Sequence, residues 1–235
     1  MRPVHQRPVL VLRPEPGNTA TCRAAHAHGL HVHAAPLFVY TPLDWALPDA
    51  APWDGLLIGS AAVFAHGGPL LDTLRAVPVP VPVHAVGPTT ARAALKAGFG
   101  VADTGSGGLQ TMVGALAQGR YLRLAGAAHV PLAPPAGVKI VDVVVYAAKP
   151  QPLAQSAIDC IRREPVLALL HSGEAARWFA EQCTAHDLPR GQIALACLAP
   201  RIGAAAGENW ERVGIAQRPD DEALLSLARQ MCQTV

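Results

Sequence analysis

The stretch VLALLHSGE, residues 166–174, is a short apolar run that ends in a serine and leads into a helical pattern. The earlier stretch GLLIGSAAV, residues 55–63, has the same character, and its serine precedes the later one by 172 − 60 = 112 residues. Pro88 and Pro200, each after the next apolar run, are also 200 − 88 = 112 residues apart. Two matches at one offset indicate an internal duplication with two similar halves. The alternative is that any two strand–helix units look alike.

Strand-like and helical patterns alternate along the whole chain. The strand-like runs are rich in Val, Ile and Leu, and they lie at residues 9–12, 55–58, 83–86, 138–145, 166–170 and 193–198. Between them apolar residues recur at helical spacing, as at Ala176, Phe179, Ala180 and Cys183. This alternation predicts an α/β protein in which parallel sheets are covered by helices on both faces, giving three layers.

The N-terminal segment has no counterpart in the first half, so we expect it to pack with the C-terminal half. The predicted organisation is a discontinuous domain of residues 1–36 plus 150–235, an inserted domain of residues 43–141, and linker strands at 37–42 and 142–149. The first crossing ends at Pro42 and Pro150 directly follows the second, which limits helix formation there. We expect a ligand to bind at the interface of two such domains. Residues 77–82 alternate Val and Pro and predict an extended surface connection.

The composition excludes several classes of protein. Of 235 residues, 51% are hydrophobic and 15% charged, a balance that favours a folded core over disorder. A net charge of +2 is too small to indicate nucleic-acid binding. No apolar run approaches the ~20 residues that cross a bilayer, and the start has no signal core, so we expect a cytoplasmic protein without a membrane segment. Five cysteines without a C-x-x-C pair predict reduced thiols.

The chain resembles the uroporphyrinogen-III synthase family over nearly its whole length. The matching pieces occur in the family's order and spacing: VLVLRPEP, GLLIGSAAV, AVGPTTARAALKAGF, VVVYAAKP and VLALLHSGEAARWF. The resemblance implies two α/β domains joined by a two-stranded linker. It also implies a hydro-lyase that cyclises hydroxymethylbilane to uroporphyrinogen III, with loss of water and inversion of the last pyrrole ring. It further implies that no metal or organic cofactor takes part. A monomer that receives its substrate from hydroxymethylbilane synthase is expected.

Tyr146 is the candidate catalytic residue. It stands in the second crossing at the position of the family's functional tyrosine, where a phenol could donate a proton to the departing hydroxyl. The alternative is a linker tyrosine packed for its ring area. Tyr40, on the other crossing, is a weaker candidate.

The substrate carries eight carboxylates, which predicts a surface rich in donors. Helix starts provide backbone N–H groups, and a guanidinium can bind a carboxylate through two hydrogen bonds. The candidate substrate-binding residues are Arg13, Ser60, Ala61, Thr89, Thr90, Ser172, Gly173 and Arg201. The alternatives are caps worth ~1 kcal/mol for the hydroxyls and a surface salt bridge for Arg13.

Some features depart from the family or point elsewhere. Arg201-Ile202 stands where the family usually has Thr-Thr or Thr-Ala after the proline, and Arg123 follows a family tendency for a basic residue. The four histidines at positions 26–33 lack a nearby cysteine or carboxylate, so exposed imidazoles are favoured over a metal site. A catalytically silent relative that binds a tetrapyrrole or serves as a partner domain stays open. So does a two-lobed receptor, although the chain is only 5% aromatic.

Overall fold

A computed structural model describes residues 7–48, 52–76 and 81–233. The chain divides into two compact units. The terminal unit is Met1–Val39 with Lys149–Val235, and the central unit is Tyr40–Ala148. Of the proline-rich connection predicted at residues 77–82, residues 77–80 lie outside the described residues.

The strands follow the apolar runs of the sequence. In the described residues they are β1 Val9–Val11, β2 Val32–Ala34, β3 Phe38–Pro42, β4 Gly55–Ile58, β5 Val83–Val86, β6 Val101–Gly105, β7 Gly119–Gly126, β8 Val138–Pro150, β9 Val166–Leu170, β10 Ile193–Cys197 and β11 Arg212–Ile215. The helices are α1 Gly17–Ala27, α2 Ala62–His66, α3 Leu70–Arg75, α4 Gly87–Lys96, α5 Leu109–Val113, α6 Gln155–Arg163, α7 Gly173–Ala185, α8 Pro200–Ala206 and α9 Asp221–Gln233.

The terminal unit is built on a five-stranded sheet in the order β11-β10-β9-β1-β2, with every pair parallel. Residues from alternate positions of β1, β9 and β10 pack against α1 and α9 on one face. The other positions of these strands are also buried, and α7 and α8 contact β9 and β10. Burial on both faces explains the continuous apolar runs in these strands.

The central unit contains a six-stranded sheet in the order β3-β8-β7-β4-β5-β6. The pairs from β8 to β6 are parallel. The Gln151 N–H donates to the Leu37 carbonyl, and the Leu43 N–H donates to the Val145 carbonyl. Because the partner number falls as the residue number rises, β3 runs antiparallel to β8. One face packs against α2, α3 and α4, and the other against α5. The boundary between the units falls within β3 and within β8.

The strand register repeats the sequence offset. Leu57 pairs with His84 in the central unit, and Leu169 pairs with Ala196 in the terminal unit, so both members shift by 112 residues (169 − 57 and 196 − 84). The strand orders of the two sheets also correspond. In the terminal unit β1 and β2 follow β9, just as β7 and β8 follow β4 in the central unit. The N-terminal segment therefore supplies two strands beside the C-terminal part of the chain.

The predicted α/β class with parallel sheets is confirmed, and some boundaries differ. The strand β6 extends through Thr104 and Gly105, because they pair with Ala85 and Val86 at the sheet edge. The two patterns predicted at residues 138–145 and 142–149 form one continuous strand, β8.

Candidate functional site

The parallel strands of each unit bring their following turns to one edge of the sheet. In the central unit this edge holds Ser60 after β4, Thr89 after β5 and Gly126 at the end of β7. Tyr146 pairs with Gly126 and so lies at the same edge. The carboxyl ends of strands are the usual place for ligands in open α/β sheets. We call these residues the central edge.

Tyr146 is buried within an aromatic cluster. The residue is 8% exposed, and its ring meets the ring of Tyr40 edge-on with centroids 5.1 Å apart. The ring of His66 lies 5.8 Å from that of Tyr40 and 6.2 Å from that of Tyr146. The two tyrosines singled out in the sequence are therefore brought together in the central unit, on β3 and β8.

His66 was missed by the sequence analysis. It ends the short helix α2, and burial lowers its pKa below the ordinary 6.5, which favours the neutral imidazole. A neutral imidazole has one donor and one acceptor nitrogen. A lone histidine six residues after a strand-end serine carries no sequence signal that separates it from a packing residue.

The hydroxyl residues of the central edge differ in exposure. The Ser60 hydroxyl accepts a hydrogen bond from the Ala62 N–H at 3.2 Å, while Ala61 occupies the cap position of α2. Thr89 is exposed and accepts a hydrogen bond from Arg92, but Thr90 is buried in the first turn of α4. Of the two threonines, Thr89 is the one open to solvent.

In the terminal unit Arg13 is engaged in a polar network. Its guanidinium bonds both carboxylate oxygens of Asp221, at 2.9 and 3.0 Å, and the Thr21 hydroxyl. Asp221 also accepts from Thr21 at 2.7 Å and lies 3.0 Å from His171 Nε2. The Nδ1 atom of His171 is buried and has no hydrogen-bond partner among the described residues. Arg13 thus has the salt bridge that was the alternative interpretation of this residue.

The carboxylate at the centre of this network is strongly acidic. Burial by itself would raise the pKa of Asp221, but the hydrogen bond from His171, the charge of Arg13 and the bond from Thr21 outweigh it and lower the pKa from 3.8 to about 2. The folded state therefore favours the ionised form.

This shift predicts an acid limb of stability. Because the folded pKa of Asp221 lies below the unfolded one, its contribution is complete above pH 3.8 and is lost as the pH falls toward about 2. In urea unfolding, D221N should be less stable than the wild type at about pH 5, and the difference should shrink toward about pH 2. The control D72N removes only an exposed pair with Arg75. A difference between wild type and D221N that does not change with pH would contradict the prediction.

Ser172, Gly173 and Arg201 start the helices that follow β9 and β10. The Ser172 hydroxyl caps α7 by accepting from the Ala175 N–H at 3.1 Å, and Gly173 lies against Ala205 of α8. Arg201 is exposed in the first turn of α8 and has no ion pair or hydrogen bond within the described ranges. Its charge is therefore available to an anion.

Arg123 is a buried residue that holds the strands together. Its guanidinium donates to the Val130 carbonyl at 2.9 Å and lies 3.6 Å from Asp142, its partner on β8. His129 lies 3.5 Å from the same carboxylate. With 5% of its surface exposed, Arg123 makes these contacts inside the central unit.

The described residues contain neither a metal cluster nor a helix suited to a membrane. Within residues 7–48, 52–76 and 81–233, no group of three or more histidine, cysteine or acidic side chains could hold a metal ion. His31 and His33 contact each other through their rings, at 4.9 Å. In the same ranges, none of the helices has the length and apolar character to traverse a bilayer.

Comparisons with known proteins agree with the geometry. The family model described as uroporphyrinogen-III synthase HemD matches residues 20–226. Nothing among curated proteins matches the chain. The crystal structure of uroporphyrinogen-III synthetase from Helicobacter pylori 26695 has a TM-score of 0.63 at 19% identity, covering 96% of this chain and 99% of that one. A uroporphyrinogen III synthase from the extremely thermophilic bacterium Thermus thermophilus has a TM-score of 0.41 at 17% identity, covering 97% of each. At such identities the first likeness shows a shared fold.

Proposed function

The chain belongs to the uroporphyrinogen-III synthase family, and from this premise we propose that it closes hydroxymethylbilane to uroporphyrinogen III with Tyr146 as its catalytic residue. The observation that carries the role of Tyr146 is its place at the central edge, in ring contact with Tyr40 and His66. We also propose that the protein is a hydro-lyase, that it is a monomer in the cytoplasm, and that hydroxymethylbilane synthase delivers its substrate.

The reaction needs a proton at its first step. The hydroxyl of hydroxymethylbilane leaves as water when a donor protonates it, while an electron-rich pyrrole provides the electron pair. The Tyr146 phenol is the proposed donor. The activated methylene first bonds the substituted carbon of the last pyrrole ring and gives a spiro intermediate, and the older methylene bond at that carbon then breaks. The methylene freed in this way bonds the unsubstituted carbon of the same ring, which gives up its hydrogen as a proton and so restores the phenol. The overall change is loss of one water molecule.

The protein must also direct which pyrrole carbon is attacked. Spontaneous closure joins the nearest terminal carbon and gives the type I isomer, whereas type III requires attack at the substituted carbon and inversion of that ring. We propose that orientation of the bound chain makes this choice. Well-aligned intramolecular reactions gain up to roughly 7–11 kcal/mol in this way.

The proposed binding residues divide between the units. In the central unit they are Ser60, Ala61, Thr89 and Thr90, and in the terminal unit Arg13, Ser172, Gly173 and Arg201. Of these residues, Thr89, Ser172 and Arg201 are exposed at helix starts, which suits them to a substrate with eight carboxylates. We further propose that the units act as domains, residues 1–36 plus 150–235 and residues 43–141, with linker strands 37–42 and 142–149.

Arg201 gives a direct test of carboxylate binding. Because it is exposed and unpaired within the described residues, R201A should leave the free energy of unfolding unchanged. Loss of one exposed ion pair, ~0.2–1 kcal/mol, should raise KM by up to about fivefold with little change in kcat. R201K should recover most of the affinity. An unchanged KM for R201A would remove Arg201 from the binding surface.

Consumption of hydroxymethylbilane tests whether the chain is an enzyme at all. The substrate is generated from porphobilinogen by its deaminase, and its disappearance is followed with and without the purified chain. The proposal expects consumption well above the spontaneous rate. A relative that only binds tetrapyrroles would leave the rate at or below the blank.

A further inference from the structure

Gly126 lies at the end of β7, beside Tyr146 on β8, and we propose that it is the positioning residue that sets the place of the Tyr146 phenol. The inference rests on the function proposed for Tyr146. It adds the physical means by which the ring is held at the central edge.

The backbone first brings the two residues together. Ala125 pairs with Val144 and Gly126 with Tyr146, so the ladder is irregular at this point and passes over Val145. Beyond the irregularity, the Ala127 N–H donates to the Tyr146 carbonyl at 2.9 Å. Irregularities of this kind change the direction in which a side chain points. Here the side chain concerned is the candidate proton donor.

The ring of Tyr146 lies directly over the Gly126 backbone. A Cβ atom at position 126 would be 2.7 Å from both Cε2 and Cζ of the ring and 2.9 Å from the phenol oxygen. Carbon atoms in contact are normally about 3.5–4.0 Å apart. Any side chain at this position would therefore displace the end of the ring that carries the hydroxyl.

The glycine is needed for this space and not for its backbone conformation. Among the described residues, the glycines with a left-handed φ do not include Gly126. An alanine could adopt the same backbone without strain. The geometry therefore makes the contact with Tyr146 the specific reason for a glycine here.

The ring also has neighbours that limit its retreat. Tyr40 meets it edge-on at 5.1 Å, and the His66 ring centroid is 6.2 Å away. A Tyr146 ring pushed away from Gly126 would have to move these two side chains or leave the cluster. Packed side chains respond to such overpacking by leaving their preferred positions. The phenol would then be misplaced relative to the substrate.

G126A tests the proposal against a purely structural role. We expect turnover to uroporphyrinogen III to fall about tenfold to a hundredfold, because misplacing a reacting group by about 1 Å has effects of that size. KM should stay within about twofold, since the carboxylate-binding residues are unchanged. The matched control is G119A at the other end of β7, where a Cβ atom would be 2.6 Å from Asp54 Oδ2. G119A should lower stability without lowering turnover.

A double-variant cycle identifies Tyr146 as the group through which Gly126 acts. Y146A removes the ring, so adding G126A to it should change neither turnover nor the melting temperature further. If G126A keeps full turnover while Y146F loses it, or if G126A destabilises equally with and without the Tyr146 ring, the proposal is overturned. Failure of the proposed function looks different, because Y146F would then keep full turnover. In that case the stability cycle alone decides whether Gly126 confines the ring.

Discussion

Replacing Tyr146 with phenylalanine is expected to lower the turnover of hydroxymethylbilane to uroporphyrinogen III by about 100-fold, the lower end of the range for loss of a general acid. The ring contacts with Tyr40 and His66 need no hydroxyl, so the cluster should persist in Y146F. The loss should appear in kcat, because proton donation belongs to the chemical step. Initial rates of type III formation measure it.

Tyr121 provides the matched control for this change. It is buried on β7 in the same unit, and its hydroxyl donates to the Ala117 carbonyl at 3.1 Å. Y121F should therefore cost about 1 kcal/mol of stability and leave turnover intact. The variant Y40F removes the hydroxyl of the neighbouring ring, and it shows whether the loss of turnover is specific to the Tyr146 phenol. Equal turnover of wild type and Y146F would leave Tyr146 a packing role only.

The largest effect on stability is expected for F179A in the terminal unit. Phe179 on α7 is fully buried and stacks on Trp210, with ring centroids 5.7 Å apart and planes 10° apart. Removing its ring should lower the free energy of unfolding by about 3–5 kcal/mol, through lost burial and the cavity left behind. Guanidinium unfolding measures the change. Turnover at a temperature where F179A is still folded should be largely kept.

An exposed apolar residue gives the comparison for F179A. Leu95 on α4 is 60% exposed, so L95A should change stability by no more than about 0.5 kcal/mol. A loss below about 1 kcal/mol for F179A would mean that the core around α7 is not packed as described.

The fold was largely predictable because its signals are local. Apolar runs and serine-to-helix turns lie within a few residues of each other. The repeat at Ser60 and Ser172 predicts two similar halves from the sequence alone. The register bears this out, since the partners of Leu57 and Leu169 are displaced by the same number of residues. Strand length was less predictable, because β8 continues through positions that look like two separate segments.

The site was less predictable because its contacts are distant in sequence. Arg13 meets Asp221 across 208 residues, and no local pattern links the two. Gly126 resembles any glycine at a strand end, and its closeness to the Tyr146 ring depends on an irregularity in the ladder. Residue type and position made Tyr146 and Arg201 candidates, whereas the residues that contact Tyr146 could be found only from the three-dimensional structure.

The isomer composition of the product is the most direct test of the proposed reaction. Porphobilinogen and its deaminase supply hydroxymethylbilane, and the oxidised porphyrins are separated after incubation with and without the purified chain. The account predicts that the type III isomer predominates when the chain is present. A product that remains type I, as in the blank, would contradict it.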